Sequence, residues 1–284
     1  MFLTTLIIYL VINKIDTVRL FIVLKQANLV YLLLATLLFV LSKVVSAYRL
    51  NIFFHFSGVN IPQLFNIKLY WLGMYYNLFL PGGIGGDGYK IFLLNKITKI
   101  KIKNLLFPVL LDRVTGLLAL FCLALHFGYF IPYFNNFWYF LWLAIPFVIL
   151  IFYLINYFFF KQYLPSFKIT TIQSFIVQIA QVFCAYLILK ALDINMYFGM
   201  YLFVFLISSI IAIIPFTIGG IGARELTFIL ASGYLELDTE TAIGLSILFF
   251  VINTIVSLSG MYYSFNLNKE TITKKYSLLL PEGI

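Results

Sequence analysis

Two short stretches combine residue types suited to holding an anion. The first, "LPGGIGGDGYK" (residues 80–90), contains Pro81, Gly85, Gly86, Asp87 and Lys90. The second, "IPFTIGGIGARE" (residues 214–225), contains Pro215, Gly219, Gly220, Gly222, Arg224 and Glu225. Aligned, both read P-x-x-I-G-G-x-G-x-[K/R], 134 residues apart, and together they hold eight of the seventeen glycines. Proline ends a helical hydrogen-bond ladder, and glycine opens backbone conformations closed to other residues. Backbone N–H groups freed after such a turn, followed by a base, suit a phosphate-like anion. Asn77, one helical turn before Pro81, is placed either to satisfy freed backbone groups or to pack as a lone polar residue. A third candidate pair, Asp112 and Arg113, sits inside "LLFPVLLDRVTGLLALFCLAL".

The elements that must position these residues are set by composition. The chain is 63% hydrophobic and 10% charged, with a mean hydropathy of +1.04. A water-soluble domain of that balance would expose one continuous apolar patch. Apolar runs recur at 28–48, 62–80, 104–128, 136–160, 169–189, 197–214 and 242–265. About 20 residues cross the hydrocarbon core, and the runs do not alternate as barrel strands do. The expected fold is therefore all-α: a polytopic transmembrane helical bundle of about 7–8 segments, two of them glycine-broken or re-entrant. It forms a single integral membrane domain with two similar halves, roughly 1–134 and 135–284. Pieces 1–12 and 226–235 are short enough to be half-spans, and 14–26 reads as an interfacial helix. The first residues lack the basic flank and small-residue cleavage site of a signal peptide.

Alternating the loops between two sides places Lys14, Arg19 and Lys25 with Lys90 and the "NKITKIKIKN" loop. Lys161, Lys168, Arg224 and the tail lysines fall on the same side, against Arg49, Lys68 and Lys190 on the other. That bias expects the 95–104 loop and the C-terminus in the cytoplasm and the chain in the cytoplasmic membrane. The charge of +9 is thereby a topology signal, and no nucleic-acid partner is expected. Cys122 and Cys184 lie in apolar runs, and His55 and His126 lack metal-ligand spacing, so no disulfide, metal or cofactor is expected.

Asp87, Asp112 and Glu225 balance Lys90, Arg113 and Arg224 in sign. Each would cost about 2.5–3.5 kcal/mol at mid-bilayer, so six unpaired would cost on the order of 15–20 kcal/mol. Either they sit at the interface or they pair in a polar cavity. For Asp112 and Arg113 the first option has Pro108 starting a helix whose first turns hold the pair at the surface. For the glycine stretches it has two tight surface turns packed by glycine. Arginine is scarce, four against fifteen lysines, and two of the four stand beside carboxylates, as bidentate binding of carboxylate or phosphate favours.

"NLFLPGGIGGDGYKIFLL", "LDRVTGLLAL" and "IPFTIGGIGARELTFIL", in that order, resemble three signature segments of the lysylphosphatidylglycerol synthase transmembrane family, also called the flippase-like domain family. The resemblance spans about residues 14–265. The family usually has arginine near Lys90 and often one in its last helix, where "SILFFVINTIVSLSG" has none. The resemblance implies moving or presenting a lipid-linked molecule, an aminoacyl-phospholipid or a polyprenyl-phosphate-linked sugar. No segment reads as a soluble synthase domain, so attachment of lysine to lipid is not expected of this chain. On the leading reading Lys90, Arg113 and Arg224 contact phosphate, while Asp87 and Glu225 orient those bases or meet a cationic headgroup. The alternative is a non-transporting accessory subunit of a separate glycosyltransferase or lipid-modifying enzyme. A membrane-embedded transferase fits less well, for want of a nucleophile–base or metal-ligand set.

Overall fold

The structure, a computed structural model, describes residues 16–80, 85–134, 136–213 and 222–266. The apolar piece 1–12, Pro81, Pro215, Gly219 and Gly220 lie outside the described residues. The elements are α1 (Thr17–Lys25), α2 (Leu29–Phe56), α3 (Gln63–Phe79), α4 (Gly85–Thr98), α5 (Ile102–Phe127) and α6 (Trp138–Phe159). Then come α7 (Phe167–Ala191), α8 (Phe198–Ile213), α9 (Ala223–Leu235), α10 (Thr239–Leu258) and α11 (Met261–Asn266). Short 3-10 turns follow α5 and α6, and no strand occurs among the described residues.

Among the described residues, five helical stretches are long and apolar enough to cross a membrane: Leu29–Phe56, Ile102–Phe130, Trp138–Phe159, Lys161–Ala191 and Thr239–Ser264. The remaining helices are shorter. At 1.5 Å per residue, α3, α4, α8 and α9 reach about 26, 21, 24 and 20 Å, less than the roughly 30 Å hydrocarbon core. They pair. The Tyr76 and Tyr89 rings lie 4.1 Å apart, and Lys90 Nζ sits 4.6 Å over Tyr70, so α3 and α4 pack as an antiparallel pair. In α8 and α9, Ile213 and Arg224 meet at one end. At the other end Gly199 touches Phe130, and Tyr133 reaches the Tyr234 carbonyl. Among the described residues, five long apolar helices and two pairs of shorter helices make up the polytopic bundle.

Contacts at the helix ends fix which way each element points. At one end the Asn28 N–H donates to the Ala191 carbonyl at 2.8 Å, tying the start of α2 to the end of α7. Arg19 of α1 pairs with Asp238 at 2.6 Å and Glu240 at 3.5 Å at the start of α10. The open ends of α8 and α9 lie there too. At the opposite end Phe53 and Ser57 meet Tyr163, and Phe107 meets Phe160. The open ends of α3 and α4 lie at this second end, where Val59 and Phe65 share an apolar cluster with Leu94 and Leu105. The two helix pairs thus enter from opposite faces, with Phe79, Gly85, Ile213 and Ala223 at their inner ends.

This corrects two expectations. The run at 62–80 is not a crossing but half of a hairpin, so α1 with Arg19 and Lys25 lies at the end opposite Lys96, Lys99, Lys101 and Lys103. Arg49, expected in a loop, is inside α2, because the helix continues to Phe56. The expected amphipathic character of 14–26 appears as a surface helix. It is capped by Asp16, whose carboxylate accepts from the Val18 and Arg19 N–H groups. None of its residues is buried.

The first hairpin is closed by glycine-on-glycine contact. A Cβ on Gly86 would lie 1.8 Å from the Gly73 carbonyl oxygen, and one on Gly73 would lie 2.4 Å from Lys90 Cε. Substituting Gly86→Ala must therefore splay α3 from α4. It is expected to lower stability by about 1–3 kcal/mol or more, read as a lower unfolding temperature in detergent. Gly88 faces open space, so Gly88→Ala should change stability by no more than about 0.5 kcal/mol.

Candidate functional site

The inner ends of the short helices and the middles of the long helices line a partly polar, open cavity. Two contiguous lobes, of about 260 and 190 Å³, share Lys43, Tyr70, Met74, Asn77, Gln181 and Ile213. Helical spacing builds its walls. Phe39, Lys43, Ser46 and Arg49 fall on one face of α2. Gln178 and Gln181 do the same on α7, and Phe249, Asn253 and Ser257 on α10.

Depth is read from the helix ends. Asp112 is the eleventh residue of α5, which starts at Ile102 rather than at Pro108. Asp87, Lys43 and Arg224 likewise lie ten or more residues from the open end of their helix or hairpin arm. At 1.5 Å per residue that is roughly 15–20 Å, the middle of a membrane. The surface-turn alternative for Asp112 and Arg113 therefore falls.

Two of the cavity's ion pairs cross between helices, and one lies within α4. Arg49 Nε donates to Asp112 Oδ1 at 2.7 Å, and its Nη1 donates to the Ser174 hydroxyl at 2.7 Å. Asp87 accepts from Lys90 Nζ at 2.6 Å and from Arg113 Nε, clamping α4 to α5. Arg49, Asp87, Lys90 and Asp112 are all buried. Asn77 Oδ1 accepts the Gly86 N–H at 2.8 Å, so this side chain satisfies a backbone donor at the start of α4.

Arg224 and Glu225, adjacent in sequence, part company. Glu225 accepts from the Gly222 N–H at 2.7 Å and from the Ser246 hydroxyl at 2.7 Å. It closes the first turn of α9 on Gly222, whose φ of +87° favours glycine, and ties that turn to α10. Among the described residues no ion pair joins Glu225 to Arg224. Arg224 instead turns into the cavity, 4.9 Å over the Phe249 ring, and Lys43 lies 4.6 Å over Phe39. Among the described residues neither Lys43 nor Arg224 has a carboxylate within ion-pair distance.

The balanced set of six expected from the sequence is thus not the set that lines the cavity. Five bases (Lys43, Arg49, Lys90, Arg113 and Arg224) face two carboxylates (Asp87 and Asp112), leaving an excess of three positive charges. Sequence reading missed Lys43, Arg49, Gln178, Gln181 and Asn253. The available signal was polar residues recurring at three- and four-residue spacing within apolar runs, as in Lys43–Ser46–Arg49.

A buried ion pair is costly to break from one side only. Asp112→Ala, which strands Arg49, is expected to lower stability by about 3–5 kcal/mol. The double substitution Arg49→Met, Asp112→Leu should recover most of that loss. Chemical or thermal unfolding of the purified variants checks both.

No curated protein sequence matches this chain. A family model described as the lysylphosphatidylglycerol synthase TM region matches residues 1–260. That match covers both glycine hairpins and every cavity-lining element, and the chain belongs to the lysylphosphatidylglycerol synthase TM region family.

Proposed function

We propose that the protein translocates or presents an anionic amphipathic lipid, holding its headgroup in the central cavity while its acyl or prenyl tail stays in the bilayer. One observation carries this reading: a cavity whose described lining holds three surplus positive charges lies at mid-depth, between the inner ends of two oppositely directed helix pairs. Such charge faces hydrocarbon only at high cost, so an enclosed site of this kind marks a substrate path. Short helix pairs entering from opposite faces suit alternating access to a site at mid-depth. The reading makes and breaks no covalent bond. A separate lipid-modifying enzyme or glycosyltransferase would supply or consume the lipid.

The second end is assigned to the cytoplasm of a cell membrane. Lys96, Lys99, Lys101, Lys103, Lys161 and Lys168 gather there, against Arg19, Lys25 and Lys190 at the first end.

The test is leaflet exchange of fluorescent phospholipid or polyprenyl-phosphate sugar in liposomes containing the purified protein. Wild type is expected to exceed empty liposomes, and Arg224→Ala to lose roughly tenfold or more of the added rate, as loss of a charge-assisted contact to phosphate implies. A wild-type rate equal to that of empty liposomes sinks translocation. Tight lipid binding without exchange would reassign the protein to presentation.

A further inference from the structure

We infer that the cavity is built for a phosphodiester lipid whose headgroup is a neutral polyol, glycerol- or sugar-like, rather than one carrying an aminoacyl ammonium. This rests on reading the cavity as a headgroup site. Lys43 and Arg224 face one lobe from α2 and α9, each held over an aromatic ring and neither matched by a carboxylate among the described residues. Two such cations at one cavity suit a single phosphate group, with the guanidinium fork supplying directional donors.

Among the described residues, every carboxylate at this depth is already engaged. Asp87 holds Lys90 and Arg113, Asp112 holds Arg49, and Glu225 holds the Gly222 N–H and Ser246. The hairpin stretches 81–84 and 214–221 contain no Asp or Glu in their sequence. An ammonium entering here would meet surplus positive charge and find no counter-ion, so like-charge repulsion would go uncompensated.

The rest of the polar lining is neutral. Asn77, Gln181, Asn253 and Ser257 offer amides and a hydroxyl to the lobe that holds Lys43 and Arg224. Ser209 Oγ and Gln178 Oε1 are buried at the cavity wall with no hydrogen-bond partner among the described residues. Buried polar atoms of this kind are rare unless something binds them. Hydroxyl groups of glycerol, inositol or a hexose match amides and hydroxyls as donors and acceptors.

The experiment measures binding of three probes to the full chain in mild detergent, by ligand-dependent thermal stability and native mass spectrometry. The probes are phosphatidylglycerol, lysyl-phosphatidylglycerol with the same acyl chains, and soluble glycerol phosphate. Phosphatidylglycerol is expected to bind roughly tenfold or more tighter than the lysyl form, as one added like charge beside an uncompensated cation implies. Lys43→Gln and Arg224→Gln are each expected to weaken phosphatidylglycerol binding by roughly tenfold or more. Without lipid both variants should unfold no earlier than wild type, since each removes a cation lacking a counter-charge.

Equal or tighter binding of the lysyl form overturns the inference, as does unchanged lipid binding in both variants. Glycerol phosphate binding as tightly as the lipid would overturn the lipid as its source. If a variant fails to fold, the headgroup preference of wild type alone still decides. Selective binding without leaflet exchange would sink translocation and leave this inference standing, whereas faster exchange of the lysyl form would do the reverse.

Discussion

Charge at mid-membrane depth must be enclosed and, where possible, paired, and the architecture follows from that constraint. Two carboxylates, Asp87 and Asp112, gather three of the five cavity bases. Their ion pairs join α2 to α5 and α4 to α5 at the level where lipid offers no hydrogen bonds. Removing either carboxylate strands cations that no nearby acid can take over. The glycine contact between Gly73 and Gly86 serves the same end. It brings the arms of the first hairpin close enough for the Lys90 side chain to lie against α3 at Gly73.

The two hairpins share a sequence pattern and occupy inverted positions, yet their charges do different work. In the first, Asp87 neutralises Lys90 and draws in Arg113, so the tip is an internally balanced clamp. In the second, Glu225 bonds the Gly222 N–H and Ser246, and Arg224 is left to the cavity. Duplicated motifs have thus diverged into a structural lock and a charged wall. With Lys43 opposite, the surplus positive charge concentrates near the second tip. That asymmetry is why the cavity reads as an anion site rather than a neutral packing defect.

Much of this was legible in the chain. Long apolar runs imply helices because unsatisfied backbone cannot face lipid, and the repeated proline–glycine pattern marks where those helices break. The amphipathic 14–26 stretch and the helix interruption after Phe79 were readable for the same local reasons. Pairing was not legible. Arg49 looked like a loop residue because apolarity fades near Arg49 and Asn51, but tertiary contacts with Asp112 and Ser174 keep it inside a helix of 28 residues. Arg224 and Glu225 looked like partners because they are adjacent. On a helix, neighbouring positions point about 100° apart, and each found its contact on another element.

The sequence by itself determined that this is an all-helical membrane protein with two glycine-interrupted segments and a set of costly intramembrane charges, since hydropathy, proline and glycine act locally. Only the tertiary structure decided that the segments are hairpins entering from opposite faces, that Lys43 and Arg49 join the site, and that positive charge is in excess. Those outcomes depend on which helices touch and at what depth, and depth along a folded bundle is a property of packing that no local stretch of residues encodes.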